Sequence, residues 1–410
     1  MKILYVVQRY GAEIVGGSES ACREFAEHLV GLGHEVEVLT SCARDYVEWA
    51  NYYPPGTEKI HGVSVHRLHV RKKRVSHLFG RADQWLMNGS GRPADFEQRK
   101  WAQLMGPDLK GLRSWLIDNY KRFDVAVFMT YLYSTATLGI PVLAGRLPVV
   151  FQPTAHTEPA LRVPYFQSLF RMPDSFLFFT QEEHQIVREK FRIEPKGRIS
   201  GIGINTDPHT SSPKSFREKF GLGDSRYLVY VGRLDPMKGV GELCRFFLES
   251  RSRVGHDLKL VLVGDALVDL PKSDDIIVTG YLEPADKQAA IAGALALVQP
   301  SYFESFSIVL CEAWVQKKPA LVQGQSAVLR GQAMRSGGAI PYEGWAEFDC
   351  AFGMLLEDAN LAQQLGENGY RYVVEKYDWQ EVMREFMASV EIAQDNFKNR
   401  TYNFSGRQAR

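Results

Sequence analysis

Residues 227–248 read YLVYVGRLDPMKGVGELCRFFL. Three local signals follow one another in this stretch. Tyr227–Val231 is a β-branched and aromatic run, which favours a strand. GRLDPMKG, Gly232–Gly239, is a turn-rich loop with a glycine at each end. Val240–Leu248 then carries apolar residues at helical spacing. Strand, loop and helix form the front of a βαβ unit, whose crossover implies a parallel neighbour. Leu258–Val263, Ile276–Thr279, Leu295–Gln299 and Pro319–Val322 supply further strands, with helical stretches between them.

The same cycle opens the chain. Lys2–Val7 reads as a strand, Gly11–Gly17 as a glycine-rich loop, Glu19–Gly31 as a helix and Glu35–Thr40 as a second strand. Asp124–Met129, Val149–Gln152 and Ser175–Phe179 continue the series. Near-continuous apolar runs such as VAVFM suit strands covered on both faces. Two halves of alternating strand and helix predict an α/β protein with two doubly wound, Rossmann-like domains. The boundary is expected in GIGINTDPHTSSP, Gly201–Pro213. Residues 71–120 fit neither half and read as a helical insertion bearing Trp85, Trp101 and Trp115. It opens with the basic run Arg71-Lys72-Lys73-Arg74, which could meet an anionic acceptor or a membrane surface. A solvated loop is the plainer reading of that run. The polar tail beyond Phe397 is expected to fray.

A length of 410 residues allows two or three domains at roughly 150 residues each. With 45% hydrophobic and 24% charged residues, the chain can build sizeable cores. A formal net charge of +1 argues against a dedicated nucleic-acid binder. No apolar run approaches the roughly 20 residues that span a bilayer. MKILYVVQRYG reads as a first strand rather than a secretion signal. The five cysteines, Cys22, Cys42, Cys244, Cys311 and Cys350, contain no C-x-x-C pair and fit a reducing cytoplasm.

Four places could carry chemistry. In GRLDPMKG, Arg233 and Lys238 lie between a strand end and a helix start, where free amides and the helix dipole already favour anions. Two solvated cations in an ordinary loop is the competing reading. In PSYFESFSIVLCE, Pro300–Glu312, a buried strand feeds a loop and a helix expected to begin near Ser305. Glu304 and Glu312 follow that strand's carboxyl end, where open α/β sheets bind ligands. Their spacing alone means nothing, because Glu19/Glu27 and Glu367/Glu375 share it. In the first loop, Gly16-Gly17 precede Ser18, read as a helix N-cap. In PTAHTEP, His156 follows the strand VVFQ; for an isolated histidine a structural role is the commoner outcome. The chain has no D-x-D pair, G-x-S-x-G elbow, Walker A sequence, H-E-x-x-H or G-x-G-x-x-G fingerprint. The last absence disfavours an NAD-dependent dehydrogenase.

Together these motifs resemble the retaining glycosyltransferases of family GT4, which have the GT-B fold. The resemblance rests on GGSE near residue 16, His156, GRLDPMKG, Glu304 and Glu312 within PSYFESFSIVLCEAW, and DWQEV from Asp378. It implies two Rossmann-like domains facing across a cleft: 1–205 for the acceptor, 206–380 for a nucleotide sugar, and 381–410 as a C-terminal helix returning to the first domain. It implies a UDP- or GDP-type donor and a sugar, lipid-linked or small-molecule acceptor, with no cofactor, no metal and no nucleic acid. Arg233 and Lys238 match the residues on the donor diphosphate, with the amides of Ser305, Phe306, Ser307 and Ile308. Glu312 matches the carboxylate on the ribose, and Glu304 the one facing the sugar. Thr279, Tyr281 and Leu282 lie where the base rests. Gly16 and Gly17 match the loop that approaches the phosphates, and His156 the residue at the sugar's reacting face. Arg233, Lys238, Glu304 and His156 would therefore form the catalytic set. The family often has glycine where Ser307 stands, and where it usually has a glycine-rich turn after Pro319 this chain reads VQGQSAVLRGQ, with Arg330. A GT-B epimerase acting on the nucleotide sugar, or a non-catalytic nucleotide-sugar-binding subunit, are the alternatives.

Overall fold

The computed structural model of the chain describes residues 1–14, 16–88, 93–206, 212–254 and 258–408. Two compact units form, Met1–Gly203 with the segment from Trp379 onward, and Ile204–Asp378. Residues 207–211 of the expected boundary loop Gly201–Pro213 lie outside the described residues.

In the first unit the strands are β1 (Lys2–Val6), β2 (Glu35–Ser41), β3 (Gly56–Ile60), β4 (Val63–Leu68), β5 (Val125–Met129), β6 (Val149–Gln152), β7 (Ser175–Phe178) and β8 (Gly197–Ile199). They form one sheet in the order β3-β4-β2-β1-β5-β6-β7-β8, parallel except for β3 on β4. The helices are α1 (Gly17–Gly31), α2 (Ser76–Asn88), α3 (Asp95–Met105), α4 (Leu112–Asn119), α5 (Ser134–Leu143), α6 (Phe166–Leu169) and α7 (Gln181–Phe191). Every residue of β5 is buried, as its unbroken apolar run requires. Strand order reverses direction between β1 and β5, which sets the switch point of this sheet there.

The 71–120 stretch is helical as expected, and part of it belongs to the core: Trp101 is buried, and Phe79 packs against the same cluster. The basic run that opens it is exposed over its first three residues. Arg71 pairs with Asp108 at 3.2 Å and Lys73 lies 3.9 Å from Glu48. Arg74 turns inward, donates to the Met105 carbonyl, and lies over the rings of Trp49 and Phe79. Burial lowers its pKa. The run is thus an exposed loop from Arg71 to Lys73, as the plainer reading had it, and turns inward only at Arg74.

In the second unit the strands are β9 (Arg226–Val231), β10 (Leu258–Val263), β11 (Ile276–Gly280), β12 (Ala296–Gln299), β13 (Ala320–Gln323) and β14 (Ala339–Tyr342). Their order is β11-β10-β9-β12-β13-β14, with all neighbours parallel. The direction of winding reverses between β9 and β12. The helices are α8 (Pro213–Lys219), α9 (Val240–Val254), α10 (Pro284–Ala292), α11 (Ile308–Val315), α12 (Ala327–Ser336), α13 (Trp345–Glu357) and α14 (Ala359–Lys376). Leu228, Tyr230, Leu260, Val298 and Leu321 from the sheet meet Leu243, Phe247, Phe348 and Phe352 from α9 and α13 in one buried cluster.

Asp378 ends this unit and Trp379 begins α15 (Trp379–Gln408), which packs in the first unit on β7 and β8. Trp379 stacks on His28 at 3.7 Å and meets Phe25 edge-on at 5.5 Å. Ser389 bonds Ser175 at 2.9 Å, and Glu385 pairs with Arg198 at 2.6 Å. α15 runs to Gln408, and Arg400, within the tail, is bound to the Met172 carbonyl and to Asp174. Among the described residues, no helix is long and apolar enough to cross a membrane.

Candidate functional site

The loop GRLDPMKG leaves β9 beside the reversal of strand order. Gly232 and Gly264, which end β9 and β10, pack so closely that a Cβ on Gly264 would lie 2.0 Å from the Gly232 carbonyl oxygen. Leu234 then bridges Ala266, and Asp235 caps the short 3-10 turn Pro236–Lys238 by accepting the Lys238 amide at 3.1 Å. Gly239 has φ 72°, and a Cβ there would lie 2.5 Å from the Pro300 carbonyl oxygen. Glycine therefore lets the loop after β9 lie directly on the segment after β12. Across that contact Lys238 Nζ meets Glu304 Oε1 at 2.7 Å, both side chains mostly buried. Arg233 is half-exposed and lies 3.5 Å from Asp235.

The segment after β12 differs from expectation in one respect. α11 begins at Ile308, not near Ser305. The reason is Ser307, whose φ of 74° is left-handed and cannot lie inside a right-handed helix. Ser307 stands where the resembled family often has glycine, and it adopts the conformation that favours glycine. A buried polar layer supports it: Gln299 Nε2 donates to Ser307 Oγ at 3.0 Å, and Gln332 donates to the Phe306 carbonyl. Phe306 is buried edge-on against Tyr377. One turn into α11, Glu312 Oε1 accepts from Lys287 Nζ of α10 at 2.6 Å. Its other oxygen, Oε2, is buried without a hydrogen-bond partner.

Thr279 lies within β11, next to its last residue, and Tyr281 and Leu282 follow the strand. The Tyr281 amide donates to Asp265 Oδ1 at 3.1 Å, and the Thr279 hydroxyl donates to the Gly280 carbonyl at 2.9 Å. Tyr281 is exposed and Leu282 buried. The carboxyl ends of β9, β10, β11 and β12 thus gather Arg233, Lys238, Thr279, Tyr281, Leu282, Glu304, Ser305–Ile308 and Glu312 along one edge of this unit. Arg330, in α12, lies 3.4 Å from Glu343, both exposed.

Gly16, Gly17 and His156 belong to the first unit. Gly16, not Ser18, is the N-cap of α1; its backbone is extended, and helical geometry starts at Gly17. Ser18 lies in the first turn and donates to Glu19 Oε2 at 2.8 Å. A Cβ on Gly16 would lie 2.5 Å from Glu19 Oε2, whereas one on Gly17 would meet nothing within 4 Å. The chain's own packing therefore requires a small residue at 16 but not at 17. Glu19 is held in a buried pair with Arg9 at 2.5 Å. His156 follows β6 in a turn where Thr154 has φ 53°. Its Nε2 lies 3.7 Å from Glu158 Oε1, which accepts the Tyr131 hydroxyl at 2.7 Å. Among the described residues no group of three or more His, Cys, Asp or Glu could hold a metal.

The sequence reading missed Arg9, Glu19, Glu158, Asp265 and Lys287. Lys287 is 25 residues from Glu312, and no motif links them. Glu158 lay within the quoted PTAHTEP and was legible as a carboxylate two residues from His156.

Solved structures similar to the whole chain decide the architecture. HepE of Anabaena, solved in complex with UDP and glucose, has a TM-score of 0.69 at 14% identity, covering 95% of this chain and 99% of that one. Sucrose-phosphate synthase of Thermosynechococcus elongatus has a TM-score of 0.66 at 16% identity, with 99% of each chain covered. The fold is GT-B. Within this GT-B chain, residues 212–372 match the family described as Glycosyl transferases group 1. An uncharacterized glycosyltransferase of Methanocaldococcus jannaschii is 24% identical, covering 96% of this chain and 99% of that protein. A D-inositol 3-phosphate glycosyltransferase of Thermobispora bispora is 25% identical, covering 90% and 88%. The GT-B chain is thus similar to glycosyltransferases in sequence as well as in fold.

Proposed function

We propose that the protein is a retaining, metal-independent glycosyltransferase, of hexosyltransferase type as in family GT4. It moves a sugar from a UDP- or GDP-linked donor to an acceptor hydroxyl. The observation that carries this reading is the Lys238–Glu304 contact at 2.7 Å, built at the strand-order reversal of the second sheet. Switch points of open α/β sheets are where such folds take nucleotide ligands. Glu312 adds support, because its buried Oε2 has no partner and suits a ribose hydroxyl donor.

In this reading the unit holding residues 204–378 binds the donor. Arg233 and Lys238 take the diphosphate, with the backbone of Ser305–Ile308. Glu312 takes the ribose, Glu304 the sugar, and Thr279–Leu282 the base. The first unit holds the acceptor, a sugar, lipid-linked or small molecule, with Gly16 and Gly17 near the phosphates and His156 at the reacting face. As the sugar leaves, its C1–O bond to the diphosphate breaks and a bond from the acceptor oxygen to C1 forms on the same face. The acceptor proton passes to the departing phosphate oxygen. Charge grows on the diphosphate during this step, and preorganised cations lower the barrier by stabilising it there.

The test is incubation with a panel of nucleotide sugars and hydroxyl acceptors in excess chelator. Nucleoside diphosphate release and the product's anomeric configuration are followed by NMR. Acceptor-dependent release with retained configuration is expected. An altered nucleotide sugar formed without acceptor would establish the epimerase reading instead. Inversion, or activity only with added magnesium or manganese, would overturn those parts of the proposal.

A further inference from the structure

A carboxylate outside the proposed catalytic set lies beneath the His156 turn. Glu183, in the first turn of α7, is fully buried. Its Oε1 accepts the Ala155 amide at 2.7 Å, and its Oε2 accepts the Phe179 amide at 2.7 Å. The Thr154 amide bonds to it as well. Its donors therefore come from two neighbouring strand ends: Thr154 and Ala155 after β6, and Phe179 after β7. Thr154 has φ 53°, a conformation that is locally unfavourable for a β-branched residue and persists only where its surroundings hold it. His156 is the next residue but one.

We propose that Glu183 is a positioning residue: it pins the backbone of the Thr154–His156 turn and so fixes where the imidazole stands. The catalytic part of this inference rests on the role given to His156 above. The carboxyl group suits the task because each of its two oxygens accepts from a backbone donor, Oε1 from Ala155 and Oε2 from Phe179. A neutral amide has one acceptor oxygen and would turn N–H groups toward an N–H. Burial pushes Glu183 up to about 8, and the amides of Phe179, Ala155 and Thr154 oppose that shift. The competing role is purely local capping of α7, where Thr180 is the N-cap and accepts the Glu183 amide at 3.2 Å.

Two variants separate the roles. Glu183→Gln keeps the shape but spoils the acceptor set. Thr180→Ala removes the cap and leaves Ala155 untouched. Hydrogen exchange, followed by mass spectrometry, is read over residues 152–160 and over α7. Glu183→Gln should speed exchange in 152–160 by roughly tenfold or more, the cost of leaving a buried amide donor without its acceptor. Thr180→Ala should act on α7 alone. In the transfer assay, Glu183→Gln should lower kcat by roughly 10- to 100-fold, the scale of a small misplacement, with the donor KM nearly unchanged. Adding His156→Ala should cost little more, because both act through one group. If Glu183→Gln does not fold, Glu183→Asp, which shortens the reach, carries the same expectations. Unchanged exchange in 152–160 would overturn the pinning. Faster exchange with unchanged kcat would overturn the link to His156. A wild-type protein without transfer activity would overturn the functional reading, while the exchange result would still decide whether Glu183 holds the turn.

Discussion

Gly239→Ala puts the packing of the proposed donor site to a quantitative test. Gly239 has φ 72°, and an added Cβ would lie 2.5 Å from the Pro300 carbonyl oxygen and 3.3 Å from its carbon. The obstacle is backbone, so no flexible side chain can swing aside. Holding alanine in the left-handed region costs roughly 1–2 kcal/mol. Forcing the two segments apart adds roughly 1–3 kcal/mol, the usual range for overpacking. The sum, roughly 2–5 kcal/mol, corresponds to a Tm lower by roughly 4–20 °C for a unit of this size. Gly353→Ala is the control: Gly353 lies inside α13 with nothing within 4 Å of the added Cβ. It should gain roughly 0.5–1 kcal/mol from helix propensity alone. Urea unfolding followed by fluorescence reports both variants. Gly239→Ala should also bind donor more weakly, because Lys238 and the approach to Glu304 move with the loop. A Gly239→Ala protein as stable as the wild type, with unchanged donor affinity, would refute the close-approach reasoning.

Lys238→Ala should fold normally yet turn over about 100- to 1000-fold more slowly, the usual cost of one preorganised electrostatic contact; activity within threefold of wild type would remove Lys238 from the site. Gly17→Ala should leave the melting temperature nearly unchanged, since the chain offers its Cβ no neighbour within 4 Å, while transfer falls; a fall in stability without a fall in transfer would contradict the phosphate role. Glu183 should make the wild type lose stability as pH rises. Its carboxyl is pushed up from the ordinary 4.5 to about 8, so folding opposes ionisation from about pH 4.5, and the cost is complete above about pH 8. Unfolding free energies from pH 4 to 9 should show that slope in the wild type and not in Glu183→Gln; parallel curves would contradict it.

Much of the architecture was legible because its signals are local. β5, with every residue buried, could only read as a covered strand. The strand-loop-helix order around Gly232 and Gly239 was equally plain. What escaped were elements whose identity comes from their neighbours. β3 is exposed at four of its five positions, β8 has three residues, and β14 contains Pro341, which an edge strand tolerates. The start of α11 was misplaced because the left-handed backbone of Ser307 is not visible in a serine. The site was legible as motifs but not as pairs. Lys238 and Glu304 are 66 residues apart, and Lys287 and Glu312 are 25 apart; folding alone joins them. Glu183 stands fourth in an ordinary T-x-x-E sequence, Thr180–Glu183, and only its reach to Ala155 sets it apart.

The central claim is that residues 204–378 hold a nucleoside diphosphate sugar, with Glu312 on the ribose. Calorimetric titration of UDP and GDP into the wild type and Glu312→Gln, in chelator, tests it most directly. One of the two nucleotides should bind the wild type. Glu312→Gln should weaken that binding by roughly 10- to 150-fold, the range for a hydrogen bond to a charged group, about 1.5–3 kcal/mol. Equal affinity in both proteins, or no heat from either nucleotide with the folded wild type, would contradict it.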